Sequence, residues 1–395
     1  MSRERSLKLF LLLLSLVVAF AASEAFLRML YPKSDIFPAD PVKDPVLGHK
    51  ILPYQSGHDA KGFRNDSAEG RFPVVCIGDS FIYGNGVQRF SAIPQQLGRM
   101  LKSPVYNMGM GGYGPLQYFA LIDEARNMGA RKIVIAIYMG NDLTDAFSMA
   151  DQKEQWRFLR QACHEEDIPI PIQPCPYTCK VHDPTYWEPD LLTTRLKSKG
   201  SLIWNVHSYL RLHSVFYALS YEFAVKPSLQ ALFEKEEHKN QPGAYYSEAL
   251  DVVFRPSIYL SSLDLRNDQV LCGLRITGRI IDLIASKYKD RQNFLFVIIP
   301  TKESVCYGSL KQNQLMLPPE FECGVHYERI AADWISKRLS SNGFQYVLPL
   351  SEMQKATLAG TVLFPHSSDD HPNAAGYGII AKAIYEAVKD TVGQR

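Results

Sequence analysis

Five short apolar runs limit the fold of this chain more than any other feature. They are "VVCI" (Val74–Ile77), "VYN" (Val105–Asn107), "KIVIAIYM" (Lys132–Met139), "NFLFVIIP" (Asn293–Pro300) and "FQYVLPL" (Phe344–Leu350). The longer ones are nearly continuous and rich in β-branched residues, as strands covered on both faces are. Helical patterns lie between them: "SAIPQQLGRML", "GPLQYFALIDEARNMGA", "HYERIAADWISKRL" and the closing "AAGYGIIAKAIYEAV". From Asn267, Val270, Leu274, Ile281, Ile284 and Tyr288 also recur at helical spacing, with Thr277 the polar exception. Alternation of this kind predicts a largely parallel central sheet between layers of helices. In such sheets binding sites gather at the carboxyl ends of the strands.

The 395 residues balance 43 Lys and Arg against 41 Asp and Glu. No basic face is concentrated enough to bind nucleic acid, and that class is set aside. The N-terminus is asymmetric. A basic "MSRERSLK" precedes the uncharged Leu9–Ala22, and an apolar helical pattern continues to Leu30. Residues 1–31 therefore read as a signal peptide or an uncleaved signal anchor. Either predicts export: a chain anchored in the membrane and facing outside the cytoplasm, or periplasmic or secreted after cleavage. Small residues at Ala19, Ala21 and Ser23 would suit a cleavage site.

Residues 32–71 are rich in Pro, Gly and Asp and predict a lead-in with short strands at most. They contain the sequon Asn65-Asp66-Ser67, a glycosylation site only in a eukaryotic secretory pathway. The domain proper spans 72–395 and is interrupted by an insertion at about 146–265. Within the insertion Ile203, Val206, Leu210 and Tyr217 follow helical spacing, and packing on the core is the commoner fate of such a face than a membrane surface. Of seven cysteines, Cys76 sits inside a strand run as a core thiol. The others could pair in an exported chain, for instance Cys306 with Cys323, whereas Cys163, Cys175, Cys179 and His182 offer ligand types that suit zinc.

The residues just past the strands are distinctive. "GDSFIYG" comes after the first strand, "NMGMGGYG" after the second and "GNDL" after the third, and "DDHPNAAGY" precedes the last helix. A Ser hydroxyl needs a base to take its proton, the base needs an acid to orient it, and the oxyanion needs preorganised donors. His371 is the candidate base for Ser80. In an extended segment residues two apart share a face, so Asp369 suits the orienting role and Asp370 would point away. Asp79 and Asp142 read as loop-holding groups, and His366 as a surface residue. Taken singly, each motif has an ordinary reading: Ser80 as a helix cap, the glycines as a loop, Asn141 as a turn. There is no G-x-S-x-G elbow, phosphate-binding loop or H-E-x-x-H motif.

Together and in this order, the four stretches resemble the consensus blocks of the SGNH hydrolases, the GDSL esterase/lipase superfamily. The resemblance implies an α/β, three-layer flavodoxin-like fold with a parallel central sheet. It also implies hydrolysis or transfer of ester-linked acyl groups with neither cofactor nor metal. It assigns the nucleophile to Ser80, the base to His371, and the oxyanion hole to the Ser80 and Gly112 N–H groups and the Asn141 amide. One feature departs from the pattern. The family's acid stands three residues before the His, where this chain has Ser368. Upstream, "DPVLGHKILP" and "GFRND" resemble the lead-in of membrane-anchored exported members, a bacterial cell-envelope setting. Expected partners are a small acyl ester or a glycan, and the membrane if the N-terminal helix is kept. Three functions are compatible with these residues: an esterase for small acyl groups such as O-acetyl on an envelope glycan, a polysaccharide O-acyltransferase using the same site, or a non-catalytic glycan-binding or assembly subunit.

Overall fold

The computed structural model describes residues 3–31, 35, 39–164, 202–225, 245–313 and 316–392. These belong to two compact units. One is drawn from Met1–Pro41, Ile51–Gly62 and Trp187–Glu237, the other from Val42–Lys50, Phe63–Tyr186 and His238–Arg395.

The larger unit opens with an antiparallel hairpin, β1 (Val42–Asp44) and β2 (Gly48–Lys50). Its centre is a five-stranded sheet built from β3 (Val74–Gly78), β4 (Val105–Gly109), β5 (Lys132–Tyr138), β8 (Phe294–Ile299) and β9 (Gln345–Val347). A second hairpin, β6 (Tyr245–Ser247) with β7 (Val252–Phe254), lies between β5 and β8 in the chain. The sheet order is β4-β3-β5-β8-β9, and every pairing is parallel. Numbered along the chain this is 2-1-3-4-5, the flavodoxin-like order, whose direction of winding switches between the first and third strands. The switch here falls between β3 and β5.

Every residue of β3, β5 and β8 is buried, which explains why those runs lack alternation. Val74, Cys76, Val134, Ala136, Leu295 and Val297 face one helical layer. There Leu97 comes from helix Ile93–Leu101, Val305 from Lys302–Gln312, and Ile380 and Ile384 from Ala374–Val392. Helix Pro115–Asn127 packs against β3 and β5 and against helix Asp268–Lys287, which also packs on Asp142–Gln152. The expected α/β fold, with its parallel sheet sandwiched by helices, is what the structure shows.

Helix boundaries follow local chemistry. Pro115 takes the first helical position after Gly114, and the Asn267 side chain caps Asp268–Lys287 by accepting Gln269 N–H. "FQYVLPL" yields only the three residues of β9, at the sheet edge and short as edge strands tend to be.

The smaller unit contains the N-terminal helix Arg3–Leu30, whose Arg5–Leu30 stretch is long and apolar enough to cross a membrane. It also contains helices Leu202–His213 and Val215–Ser220, broken at Ser214. The expected core packing of Val206 does not occur: it is 48% exposed, while Leu210 and Tyr217 are half-buried. Ser214 stops the first helix with an extended backbone and starts the second, its hydroxyl accepting Tyr217 N–H. Val215 and Ala218 pack against Leu27 and Tyr31 at the end of the N-terminal helix.

Three cysteine and sequon expectations change. Cys163 bonds Cys272, and Cys306 is a free buried thiol although Cys323 is disulfide-bonded, so the Cys306–Cys323 loop does not form. Cys163 is thereby removed from the zinc set, whose other members, Cys175, Cys179 and His182, lie outside the described residues. Asn65 is buried, and its amide donates to Asn107 O at 2.9 Å, so the sequon nitrogen is already in use.

Candidate active site

Strand register brings three of the candidate residues to one edge. Gly78 pairs with Gly109 and Ile77 with Ile135, so β3, β4 and β5 present their carboxyl ends side by side. Ser80 lies two residues beyond β3, Gly112 three beyond β4, and Asn141 three beyond β5. All stand at or beside the switch point, where the strand-end rule places a binding crevice.

Past β3 the chain turns into a helix at once. Asp79, fully buried, accepts Phe81 N–H at 2.9 Å and caps the short helix Ser80–Tyr83. Burial pushes the Asp79 carboxyl up to about 6, opposed by that N–H and by His371. Ser80 is the first residue of this helix, where a backbone N–H has no partner within the helix. Its N–H donates to no acceptor among the described residues. The helix rests directly on the end of β4: a Cβ on Gly109 would stand 2.3 Å from Tyr83 N. The fit therefore requires glycine.

The loop after β4 then passes Ser80. A Cβ on Gly111 would lie 3.9 Å from Ser80 Cβ, and Gly112 takes φ +75°, where glycine is favoured. His49 Nε2 donates to Gly111 O at 2.8 Å, and Tyr113 Oη donates to His49 O at 2.7 Å, so β2 clasps this loop. Among the described residues the Gly112 N–H has no acceptor.

Beyond β5, Asp142 is fully buried and accepts Tyr118 Oη at 2.9 Å and Tyr138 N–H at 3.0 Å. Burial, then the neighbouring Asp79 and Asp145, hold its carboxyl well above the ordinary range. This tie fixes the turn carrying Asn141. The Asn141 side chain makes no cap hydrogen bond to the helix it precedes, and its Oδ1 is buried without a partner among the described residues. Among the described residues its amide nitrogen makes no hydrogen bond.

The fourth stretch has no regular structure. His371 Nε2 lies 2.7 Å from Ser80 Oγ, and His371 Nδ1 lies 2.6 Å from Asp369 Oδ1, which also accepts His371 N–H at 3.0 Å. Burial works to raise the Asp369 pKa, yet the His371 ring and N–H together with Lys302 bring it down to about 2. An ionised Asp369 can only accept, so the ring proton sits on Nδ1 and the Nε2 lone pair faces the Ser80 hydroxyl. Burial acts to lower the His371 pKa, but the hydrogen bond and charge of Asp369 outweigh it, helped by Asp79 and Asp370. The net shift is upward. Phe81 stands with its ring 5.0 Å from the imidazole and 3.9 Å from Tyr138.

The structure thus brings Ser80, His371 and Asp369 into one hydrogen-bonded line, with Asp369 rather than Ser368 beside the imidazole. Asp370 turns away and pairs with Lys302 Nζ at 3.0 Å. His366 takes no part in the line; its side chain is 63% exposed and pairs with Asp251.

Four supporting residues carry no mark of that role in the sequence motifs. Lys302 has no exposed side-chain surface and donates to Asp369 O at 3.1 Å and Val253 O at 2.9 Å, holding the stretch that bears the acid. It follows β8 closely, so the strand-end rule is the one signal that points to it. Arg64 donates to Gly84 O at 2.7 Å and Val87 O at 2.9 Å, and Asn65 pairs with the Asn107 backbone. His49 is the fourth. These three come from the lead-in, where no local signal marks them as supports.

No family model matches the chain, and no curated protein matches it. Among solved structures, a protein from Desulfitobacterium hafniense DCB-2, assigned to the G-D-S-L family with a lipolytic role ascribed to it, aligns at 11% identity. The alignment covers 80% of this chain and 98% of that one, with a TM-score of 0.34. Similarity at that level carries no argument about activity.

Proposed function

We propose that this chain is an SGNH-type serine esterase, exported and membrane-anchored, that hydrolyses small acyl esters such as O-acetyl groups on an envelope glycan. The observation carrying this reading is the line from Asp369 Oδ1 through the His371 ring to Ser80 Oγ, with contacts of 2.6 and 2.7 Å. Export is supported by the spanning-length N-terminal helix and by the Cys163–Cys272 disulfide, a bond suited to oxidising compartments.

In this mechanism His371 Nε2 takes the Ser80 proton as Oγ attacks the ester carbonyl carbon. The carbonyl oxygen gains the negative charge. The N–H groups of Ser80 and Gly112 and the Asn141 amide supply donors for it. Asp369 stabilises the imidazolium and keeps its proton on Nδ1. Collapse of the intermediate breaks the ester C–O bond, and His371 gives its proton to the departing alcohol. Water then repeats the sequence on the acyl-Ser80, releasing the acid and restoring the serine.

The test is turnover of a chromogenic acetate ester, together with labelling by a fluorophosphonate. Wild type is expected to turn over and to be labelled at Ser80, and Ser80→Ala to do neither. Folded wild type that is neither labelled nor faster than Ser80→Ala would overturn the reading in favour of a binding subunit. A mass gain on an envelope glycan supplied with an acyl donor, without net hydrolysis, would replace hydrolysis by transfer.

A further inference from the structure

The smaller unit contains a lock that the esterase chemistry does not use. Glu24, on the N-terminal helix, accepts Val215 N–H at 2.8 Å on Oε1, and Phe216 N–H and the Ser214 hydroxyl at 2.9 Å each on Oε2. It thereby caps helix Val215–Ser220. Arg28, one turn on, donates to Glu24 Oε1 at 2.8 Å and to His213 O, the last residue of the preceding helix. Phe20 meets Phe216 edge-on at 5.5 Å, and Leu27 and Tyr31 cover Val215 and Ala218. The N-terminal helix is thus joined to the helix pair by side chains from Phe20 to Tyr31.

The position of this lock along the N-terminal helix is informative. Leu9 to Ser23 carry no charge, and at 1.5 Å per residue they rise about 22 Å, somewhat less than the roughly 30 Å of a hydrocarbon core. If that stretch is in the bilayer, Glu24 and Arg28 lie at its edge, with both charges satisfied by each other and by backbone groups. The helix pair fastened to them lies at the same level. Leu202, Val206 and Tyr209, at i, i+4 and i+7, share one face and are 78%, 48% and 62% exposed. Arg211 falls on the opposite face, over the Tyr221 ring. Phe216 is exposed beside the lock, as are Phe26, Met29 and Leu30 on the N-terminal helix. An apolar face with a tyrosine on it, on a helix pair fastened to a spanning-length apolar helix, matches the chemistry of the lipid interface.

We propose that the segment Leu202–Val225 is a second membrane-contacting element, whose Leu202, Val206 and Tyr209 face seats in the interfacial layer of a phospholipid bilayer, locked to the N-terminal helix by Glu24 and Arg28. This rests on the membrane-anchor part of the proposed function and is independent of the ester chemistry.

The experiment uses the full chain in vesicles of phosphatidylethanolamine and phosphatidylglycerol, with a bimane label on Val206→Cys, Tyr209→Cys or the exposed control Lys337→Cys. Among the described residues the free native thiols, Cys76 and Cys306, are buried, and the unsubstituted chain carried through the same labelling supplies the background. Lipid carrying a nitroxide high on its acyl chain should quench positions 206 and 209 at least about threefold more than aqueous iodide does, and position 337 should show the reverse. Iodide quenching at 206 and 209 equal to that at 337 would overturn the proposal. So would protection from both quenchers, which would assign the face to a protein partner. In Glu24→Lys, lipid quenching at 209 should fall toward the control level while hydrolysis of a soluble ester is unchanged; undiminished quenching would overturn the lock. A wild type that is lipid-quenched but inert toward esters would sink the esterase reading and leave this one standing.

Discussion

Ser80, Gly112 and Asn141 stand within three residues of the ends of neighbouring parallel strands, whereas Asp369 and His371 stand on a stretch without regular structure before helix Ala374–Val392. The first group is positioned by strand register and by buried carboxylates that tie each turn, Asp79 to Phe81 N–H and Asp142 to Tyr138 N–H. The second depends on side chains from elsewhere. Lys302 holds Asp369 O and Asp370, and Asn373 caps the last helix by accepting Ala375 and Gly376 N–H while donating to Val362 O. Ser80 is buried, while on the loop the His371 side chain is 20% and the Asp369 side chain 44% exposed. In the proposed mechanism the donors that must be rigid are built on the sheet, and the group that would shuttle a proton is on a tethered loop.

Substitutions can break this comparison at either end. Ser80→Ala should cost about 10⁴-fold or more in kcat/KM for an acetate ester, and Ser80→Ala with His371→Ala should cost little beyond that, because the pair acts as a unit. Additive losses in the double variant would separate the two halves. On the loop side, Asp369→Asn should lower kcat by about 10³- to 10⁴-fold, since the imidazole loses both its tautomer and its charge partner. Asp370→Asn, which faces Lys302, should fall far short of that loss. Comparable losses at 369 and 370 would mean that the loop tether, not the hydrogen bond, is what matters.

Asn141→Ala on the sheet side should cost about 10²- to 10³-fold, the usual effect of losing one oxyanion donor, with KM little changed. Lys302→Met should cost about 10- to 100-fold in kcat through misplacement of the loop, and should lower Tm because the carbonyls it serves lose their donor. An effect on Tm alone would make Lys302 purely structural.

The smallest effect expected is one of pH. The His371 pKa is raised, and the unprotonated ring is the base, so the rate should rise with pH through a value above 6.5. Asp369→Asn removes the upward pull, and the acid limb should move to lower pH. Stability runs the opposite way for this group. The protonated His371 paired with Asp369 contributes fully below 6.5, and the contribution is lost as pH rises through the raised value. The Asp369 contribution is present above 3.8 and lost as pH falls toward about 2.

The sheet was legible in the sequence because burial on both faces leaves continuous apolar runs, and the four polar steps were legible because they interrupt those runs. The preference for Asp369 over Asp370 came from two-residue periodicity alone, and the structure places Asp369 beside the imidazole. Less was legible where partners come from far along the chain. Lys302 belongs to no motif; its approach to Val253 and Asp369 is what reveals its part in the site. Asn65 reads as a sequon until Asn107 is beside it. Val206 reads as core because its spacing is helical, yet spacing cannot say whether the covering surface is protein, and the Ser214 break ends the pattern that would have carried the face onward.

Cys163 and Cys272 are 109 positions apart in sequence, yet their Cα atoms stand 4.4 Å apart at the foot of helix Asp268–Lys287. Closing a loop of that length removes about 4.7 kcal/mol of unfolded-chain freedom in the entropic model. With its two stems stapled together, the chain ahead of hairpin β6–β7 can be lengthened, trimmed or exchanged without re-threading the sheet. The hairpin must stay, because Lys302 holds Val253 O and Phe254 packs in the core.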